Sequence, residues 1–173
     1  RGSPAVRAWR VGRGGVGPPP CAGALLAAVC PLHALRVCAS LATGLAGFGS
    51  STDRTDTLIV AISQSGTTTD TSTTVDLARA RGAAVIAIVN RRNSDLVDRS
   101  DGVLYTSDGR DVEMSVASTK AFYAQVAAGF VLATALAEAM GAPPGTDDAL
   151  RAWRELPSAR EAVLPPRDAG ARA

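Results

Sequence analysis

Two runs of continuous apolar, largely β-branched residues dominate the hydropathy pattern. TLIVAIS (57–63) and AAVIAIVN (83–90) each have the character of a strand buried on both faces, as in a parallel sheet. Between them, 74–81 carries apolar residues at helical spacing and stops at Gly82, which predicts a short helix. Strand, crossover helix and strand in about thirty residues predict a right-handed βαβ unit.

The pattern downstream extends this unit. A helical turn is predicted at 93–100 and a third strand, GVLYT, at 102–106. Over 115–140, apolar residues recur at spacings of three and four, which predicts a long core-facing helix. The predicted fold class is therefore α/β, a three-layer parallel sheet flanked by helices. The periodicities select these core positions: Leu58, Val60, Ile62, Val85, Ile86, Ile88, Val103, Phe122, Val126 and Phe130.

The two ends of the chain differ from this middle part. Residues 1–54 are rich in Arg, Gly, Pro, Ala and Cys and show no sustained period, so they are predicted to be irregular, a truncated or mistranslated leader. The apolar run 21–32 is too short to span a membrane, which needs about 20 apolar residues. Residues 142–173 are predicted to form a short helix at about 147–155 and a frayed tail. The predicted domain occupies 55–141.

Composition and charge narrow the function classes. With 173 residues, 46% apolar and 20% charged, the chain fits one globular domain rather than a disordered or multi-span membrane protein. The net charge is +2, but 55–141 holds seven basic and ten acidic side chains, so no nucleic-acid partner and no membrane partner are expected. The three cysteines and one histidine match no zinc spacing or disulfide scaffold, so no metal is expected and the cytoplasm is the default compartment.

The candidate chemistry lies in the turn that follows the first predicted strand. A turn leaving the carboxyl end of a parallel strand and entering a helix is where open α/β sheets bind ligands. This one offers hydroxyls, an amide and a glycine that permits close approach, a set suited to a phosphate. Without a Lys it does not fit the nucleotide P-loop. Hydroxyls that merely cap the next helix are the alternative. The candidate site residues are Ser63, Gln64, Ser65, Gly66, Thr67 and Thr68.

Three motifs add a resemblance to a known family. ISQSGTTTDT (62–71), NRRNSDLVDRSD (90–101) and VASTKAF (116–122) occur in the order and spacing of the sugar isomerase (SIS) domain family. Over about 56–141 the chain most resembles the first SIS lobe of the aminotransferases that make glucosamine 6-phosphate from fructose 6-phosphate and glutamine. The resemblance implies an incomplete SIS-type, flavodoxin-like fold that binds one of these sugar phosphates at 63–68, with Val116 and Ser118 approaching the sugar. It implies no cofactor.

The departures from the family concern catalysis. No Cys-Gly-Thr-Ser turn is found in 1–54, and the family's acid/base and glutamine-hydrolysing residues belong to a second lobe, a tail and another domain. No catalytic residue is therefore assigned here, and the chain is expected to be inactive alone. Lys120 is as readily structural as functional, and Asp70 is read as a first-turn residue.

Three functions stay open at this stage. They are a binding lobe of an aminotransferase fragment, a non-enzymatic phosphosugar-sensing module, and a degenerate fragment without function. The long helix of a lone lobe should also expose apolar surface and favour homo-oligomers.

Overall fold

The computed structural model describes residues 8–13, 36–42, 53–107, 119–139 and 147–163. Five strands in these ranges form one sheet in the order β2-β1-β3-β4-β5, with every neighbouring pair parallel. The strands are β1 Ala8–Arg13, β2 Arg36–Leu41, β3 Thr57–Ser63, β4 Ala84–Val89 and β5 Gly102–Tyr105. The helices are α1 Thr69–Arg79, α2 Asp95–Asp98, α3 Thr119–Ala139 and α4 Asp147–Val163. The predicted α/β class with a parallel sheet is confirmed.

Helices cover the sheet on both faces, since side chains alternate along each strand. Leu58, Val60 and Ile62 of β3 point to one face, where they join Ile88 of β4 and Leu132 of α3. On the other face, alternate residues of β3 and β4 pack with α1 and α2 in a second cluster. Its members are Ile59, Ala61, Val75, Ala78, Ala83, Val85, Ala87 and Leu96. Every residue of β3 is buried, which explains its unbroken apolar sequence.

Most of the predicted core positions are in the core. Six of them are buried: Leu58, Val60, Ile62, Val85, Ile88 and Phe130. Ile86, Val103 and Val126 are partly buried and pack against the two clusters. Phe122 is also only partly buried, and its ring meets that of Tyr123 edge-on at a centroid distance of 5.1 Å.

The prediction that 1–54 is irregular is wrong for two segments. β1 lies between β2 and β3 in the sheet, with Ala8 opposite both Arg36 and Thr57. Both segments are only six residues long and contain Arg and small residues, so they show no apolar period. A parallel ladder is built from backbone N–H and C=O groups, which any residue but proline supplies. Cys21, Cys30 and His33, for which no metal role was expected, lie outside the described residues.

The crossover helix α1 begins at Thr69, several residues before the predicted start at 74. The first six residues of the helix, TDTSTT, are poor helix formers, so their sequence alone does not favour a helix. Packing reverses this preference, because Thr71 and Thr74 are buried and the Thr74 hydroxyl donates to the Ala42 carbonyl at 2.9 Å. The helix ends at Arg79, short of the predicted 81, and Gly82 follows it with a φ of 88°, in the left-handed region that glycine adopts most readily.

The chain divides into two compact units between 137 and 138, near the end of α3, and α4 lies wholly in the second unit. The predicted long helix is confirmed as α3 over Thr119–Ala139, and 115–118 and 140 lie outside the described residues. It exposes apolar side chains, as predicted: Tyr123 is 71% and Val131 50% accessible. The predicted helix at 147–155 is too short, because α4 continues to Val163. The residues after Pro157 include good helix formers, so the helix continues past the proline.

Candidate functional site

The turn 63–68 joins the carboxyl end of β3 to α1 and is closed by a buried serine. The Oγ of Ser63 accepts the N–H of Gly66 at 3.0 Å. Gly66 has a φ of 67°, a conformation that residues with a Cβ rarely adopt. A Cβ there would overlap the Ser94 hydroxyl and lie 2.9 Å from Cγ2 of Val89. Gly66 therefore supplies both the backbone conformation and the space that the turn needs.

The hydroxyl of Ser65 makes two hydrogen bonds within this turn. Its oxygen accepts the backbone N–H of Thr67 at 3.3 Å and the Thr67 hydroxyl at 3.1 Å. A hydroxyl oxygen that accepts both bonds keeps its own hydrogen for a further acceptor. Ser65 is partly buried and Thr67 is exposed, so both can be reached from solvent. Ser65 can therefore donate its hydroxyl hydrogen to a bound anion without breaking the turn, while Thr67 keeps its bonds to the Ser65 oxygen.

Thr68 is the N-cap residue of α1, yet its hydroxyl does not cap the helix. It has an extended backbone, and within the described residues its side chain makes no capping hydrogen bond. Its carbonyl accepts the N–H of Ser72 at 3.1 Å. The first N–H groups of a helix have no partner in the helix, and its dipole favours anions there. The capping alternative is thus not realised by Thr68.

The loop that follows β4 holds the backbone of the turn in place. The carbonyl of Gln64 accepts the N–H groups of Asn90 and Arg91, each at 3.3 Å, and the carbonyl of Gly66 accepts that of Leu96 at 3.1 Å. Ser94 is buried against Gly66. These bonds use backbone groups, so they leave the side chains of Ser65 and Thr68 for other contacts.

The end of β5 completes the same edge of the sheet. Thr106 and Ser107 donate their hydroxyls to Oδ1 of Asn90 at 3.3 and 2.5 Å. The Arg92 guanidinium lies 4.5 Å from the centre of the Tyr105 ring, a cation–π contact. In the sequence, the motif 90–101 contributes only to the family resemblance. The closeness of Asn90 and Ser94 to the turn follows from the strand order, which the motif does not contain. Sequence reasoning assigned neither of them a role.

The electrostatics of the turn are those of neutral donors. Residues 63–69 contain no ionisable side chain, and the nearest charges in sequence and in the adjoining loop are Asp70, Arg91 and Arg92. Asp53 lies at the other edge, ahead of β3. There the backbone N–H of Thr55 donates to its carboxylate at 3.1 Å and lowers the pKa of that carboxyl.

The structure thus brings one group of predicted site residues together. Ser63, Gln64, Ser65, Gly66, Thr67 and Thr68 form a single turn at the carboxyl edge of the sheet, whereas Val116 and Ser118 lie outside the described residues. In the ranges that the structure describes, no cluster of His, Cys, Asp and Glu could hold a metal ion. No helix in the same ranges is long and apolar enough to cross a bilayer.

A parallel sheet with a hydroxyl-rich turn at its carboxyl edge places the protein in the class of open α/β folds, which bind ligands at the ends of their strands. Sequence comparison gives the family. The family model described as SIS domain matches residues 49–135, and the chain belongs to the SIS domain family. The resemblance carried by the three motifs is therefore confirmed.

The relatives found by sequence are glutamine-fructose-6-phosphate aminotransferases (isomerizing). That of Mycobacterium leprae is 49% identical over 100 residues, which are 58% of this chain and 16% of the relative. That of Streptomyces coelicolor is 44% identical over 110 residues, 62% of this chain and 18% of the relative. The chain thus spans only a small part of the curated relatives it matches.

Solved structures show the same fold. The C-terminal domain of glucosamine-fructose-6-phosphate aminotransferase from Francisella tularensis matches with a TM-score of 0.73 at 25% identity, covering 90% of this chain and 43% of that one. The Vibrio vulnificus NanR protein complexed with ManNAc-6P matches with a TM-score of 0.60 at 23% identity, covering 92% and 56%. At that identity the second match concerns the fold alone.

Proposed function

We propose that this chain is the phosphosugar-binding SIS lobe of a glutamine:fructose-6-phosphate aminotransferase (isomerising) and that it binds fructose 6-phosphate or glucosamine 6-phosphate in the cytoplasm. One observation carries the proposal. The backbone of the turn 63–68 is held by neighbouring loops, while the hydroxyls of Ser65 and Thr68 stay available beside the N-terminus of α1. The aminotransferase relatives support the choice of sugar phosphate.

The residues of the turn take different roles in this proposal. Ser65 and Thr68 donate hydroxyl hydrogens to the phosphate oxygens, together with free N–H groups of the first turn of α1, and Thr67 orients the Ser65 oxygen by donating its own hydroxyl hydrogen to it. Ser63 is 2% exposed and already accepts the Gly66 N–H, so it mainly holds the turn closed. Gln64 can add its side-chain amide. Val116 and Ser118 are proposed, from the family resemblance, to approach the sugar.

The proposal limits this chain to binding. A phosphate held by neutral hydroxyls and backbone N–H groups is oriented without being activated, since the turn has no general base or nucleophile–base pair. The transfer of the amino group and the isomerisation would use residues of the complete aminotransferase. The chain itself needs no metal or cofactor for the proposed role.

The experiment is a titration of the full chain with fructose 6-phosphate, followed by the amide signals of 63–72 in nuclear magnetic resonance, which measures millimolar affinities. Ser65→Ala removes one donor to a charged acceptor, for which about 1.5–3 kcal/mol is typical. The affinity should fall by roughly ten- to a hundred-fold. Ser63→Ala and Thr68→Ala should also weaken binding.

A matched control uses a serine outside the turn. The hydroxyl of Ser100 donates to the Leu96 carbonyl at 2.6 Å, beyond the far end of α2. Ser100→Ala should bind fructose 6-phosphate like the parent chain. If Ser63→Ala, Ser65→Ala and Thr68→Ala all bind like the parent as well, the turn only connects β3 to α1 and the assignment is wrong.

We also propose that the chain self-associates through apolar side chains of α3. The exposure of Tyr123 and Val131 supports this, because large exposed apolar side chains on one helix favour association. Sedimentation velocity over a range of concentrations is the test. A Tyr123→Ser, Val131→Ser chain should sediment as a monomer, and a parent chain that is monomeric at high concentration contradicts the proposal.

A further inference from the structure

Asn90 is a buried polar residue that joins the ends of three strands. It is 5% exposed and directly follows β4. Its backbone N–H donates to the carbonyl of Gln64 in the turn after β3. Its side-chain Oδ1 accepts the hydroxyls of Thr106 and Ser107, which follow β5. The backbone of Asn90 therefore contacts the turn after β3, and its side chain contacts the residues after β5.

This position lies just beyond the regular strand pairing. The last register pairs are Ser63 with Val89 on one side of β4 and Val89 with Tyr105 on the other. The ladder thus orients the backbone as far as Val89, and Asn90 is the first residue past it. Buried polar atoms need partners, so the two hydroxyls that satisfy Oδ1 also set where Asn90 sits.

The consequence reaches the turn through one carbonyl. Gln64 immediately precedes Ser65, and the Gln64 carbonyl is bonded to the N–H groups of Asn90 and Arg91. A displacement of Asn90 therefore moves the peptide that leads into Ser65. Sites that bind by several short hydrogen bonds lose affinity when one donor shifts by a fraction of an ångström.

We propose that Asn90 is a positioning residue for the phosphosugar turn, which it aligns through Gln64 because its own side chain is anchored to Ser107 and Thr106. The inference rests on the proposed function, since it concerns the geometry of that binding turn. Asn90 itself does not touch the ligand in this proposal. An uncharged amide suits the place, because a carboxylate would accept the same two bonds but repel a phosphate.

The test is a double-mutant cycle in the full chain, with fructose 6-phosphate as the ligand and nuclear magnetic resonance titration as the assay. Asn90→Ala should weaken binding about tenfold and Ser107→Ala about threefold, by loss of one or more hydrogen bonds. The double variant should bind no more weakly than Asn90→Ala, because both changes remove the same link. If Asn90→Ala does not fold, Ser107→Ala alone tests the positioning role, because it removes one of the bonds to the Asn90 side chain.

A control separates alignment from general stability. Asp101 anchors the opposite end of β4, where its Oδ2 accepts the Val85 N–H at 2.7 Å. Asp101→Ala should lower the melting temperature much as Asn90→Ala does, yet leave the affinity unchanged at a temperature where both are folded. In the free chain, Asn90→Ala should also speed hydrogen exchange of the Arg91 amide, which Asp101→Ala should not.

The outcomes distinguish this inference from the proposed function. If Ser65→Ala binds weakly but Asn90→Ala and Ser107→Ala bind like the parent, the positioning role is wrong and the binding turn stands. If Asp101→Ala weakens binding as much as Asn90→Ala, the effect is one of stability and the inference is wrong. A double variant weakened by the product of the two single effects overturns the link through Ser107. If the parent chain binds no fructose 6-phosphate, both proposals fall.

Discussion

Replacing Gly66 by alanine should damage both the stability and the proposed binding of this chain. The left-handed φ of 67° costs a residue with a Cβ about 1–2 kcal/mol. The added methyl group also overlaps Ser94 and approaches Val89, both buried, and overpacking of this kind costs about 1–3 kcal/mol. Gly66→Ala should therefore lower the free energy of unfolding by about 2–5 kcal/mol.

Binding should suffer as well, because Gly66 is bonded on both sides. Its N–H donates to Ser63 and its carbonyl accepts from Leu96, so a strained Gly66→Ala backbone moves the turn that carries Ser65. Urea unfolding followed by circular dichroism gives the stability, and the fructose 6-phosphate titration gives the affinity. We expect the affinity to fall at least tenfold in the chain that remains folded.

Two other glycines serve as controls for the effect of a positive φ and for the effect of an added methyl group. Gly82 also has a positive φ, of 88°, but lies at the far end of α1, so Gly82→Ala should cost stability and leave the affinity unchanged. Gly102→Ala meets only Ile86 Cγ1 at 3.7 Å and should be nearly neutral. A Ser94→Gly change should recover part of the Gly66→Ala loss by removing the overlap. If Gly66→Ala unfolds at the urea concentration of Gly102→Ala, the turn geometry described here is wrong.

Three further predictions concern the core and the surface. Thr71 Oγ1 is buried without a hydrogen-bond partner in the ranges described, so Thr71→Val should stabilise the chain by up to about 1 kcal/mol in urea unfolding. Thr74→Val loses the bond to Ala42 and should destabilise the chain by about 1 kcal/mol. Ile59 is fully buried, and Ile59→Ala should lower the free energy of unfolding by about 2–5 kcal/mol; a loss under 1 kcal/mol would contradict the packing. The exposed Arg99–Asp76 pair is expected to contribute less than about 1 kcal/mol, so Arg99→Ala should shift the melting temperature only slightly, and less at high salt.

The strands that the sequence predicts best are those that helices cover on both faces. β3 and β4 consist almost entirely of apolar residues because their two faces are buried by different helices, and that burial is visible as an unbroken run. β1 occupies an inner position too, yet its sequence AWRVGR has no such run. Its place rests on backbone pairing with strands far along the chain, which local pattern does not record.

The turn itself was predictable, but its surroundings were not. Ser63 to Thr68 are contiguous, so their hydroxyls form one recognisable motif. Asn90 and Ser94 come from the loop after β4 and contact the turn, and Ser107, after β5, contacts Asn90. These contacts arise because β3, β4 and β5 are neighbours in that order. Sequence reasoning could identify the candidate donors of the turn, whereas the residues that hold the turn in place depend on the topology.

The order of the strands has a consequence for how the chain folds. β4 and β5 pair over a short stretch of sequence, Ile86 with Gly102, whereas β1 and β3 pair Ala8 with Thr57. Closing the longer loop costs roughly 1 kcal/mol more in chain entropy. The unit β3–α1–β4–β5 should therefore assemble first, and β1, with β2 paired to it, should join later. A refolding experiment should find the amides of β4 protected from hydrogen exchange before those of β1.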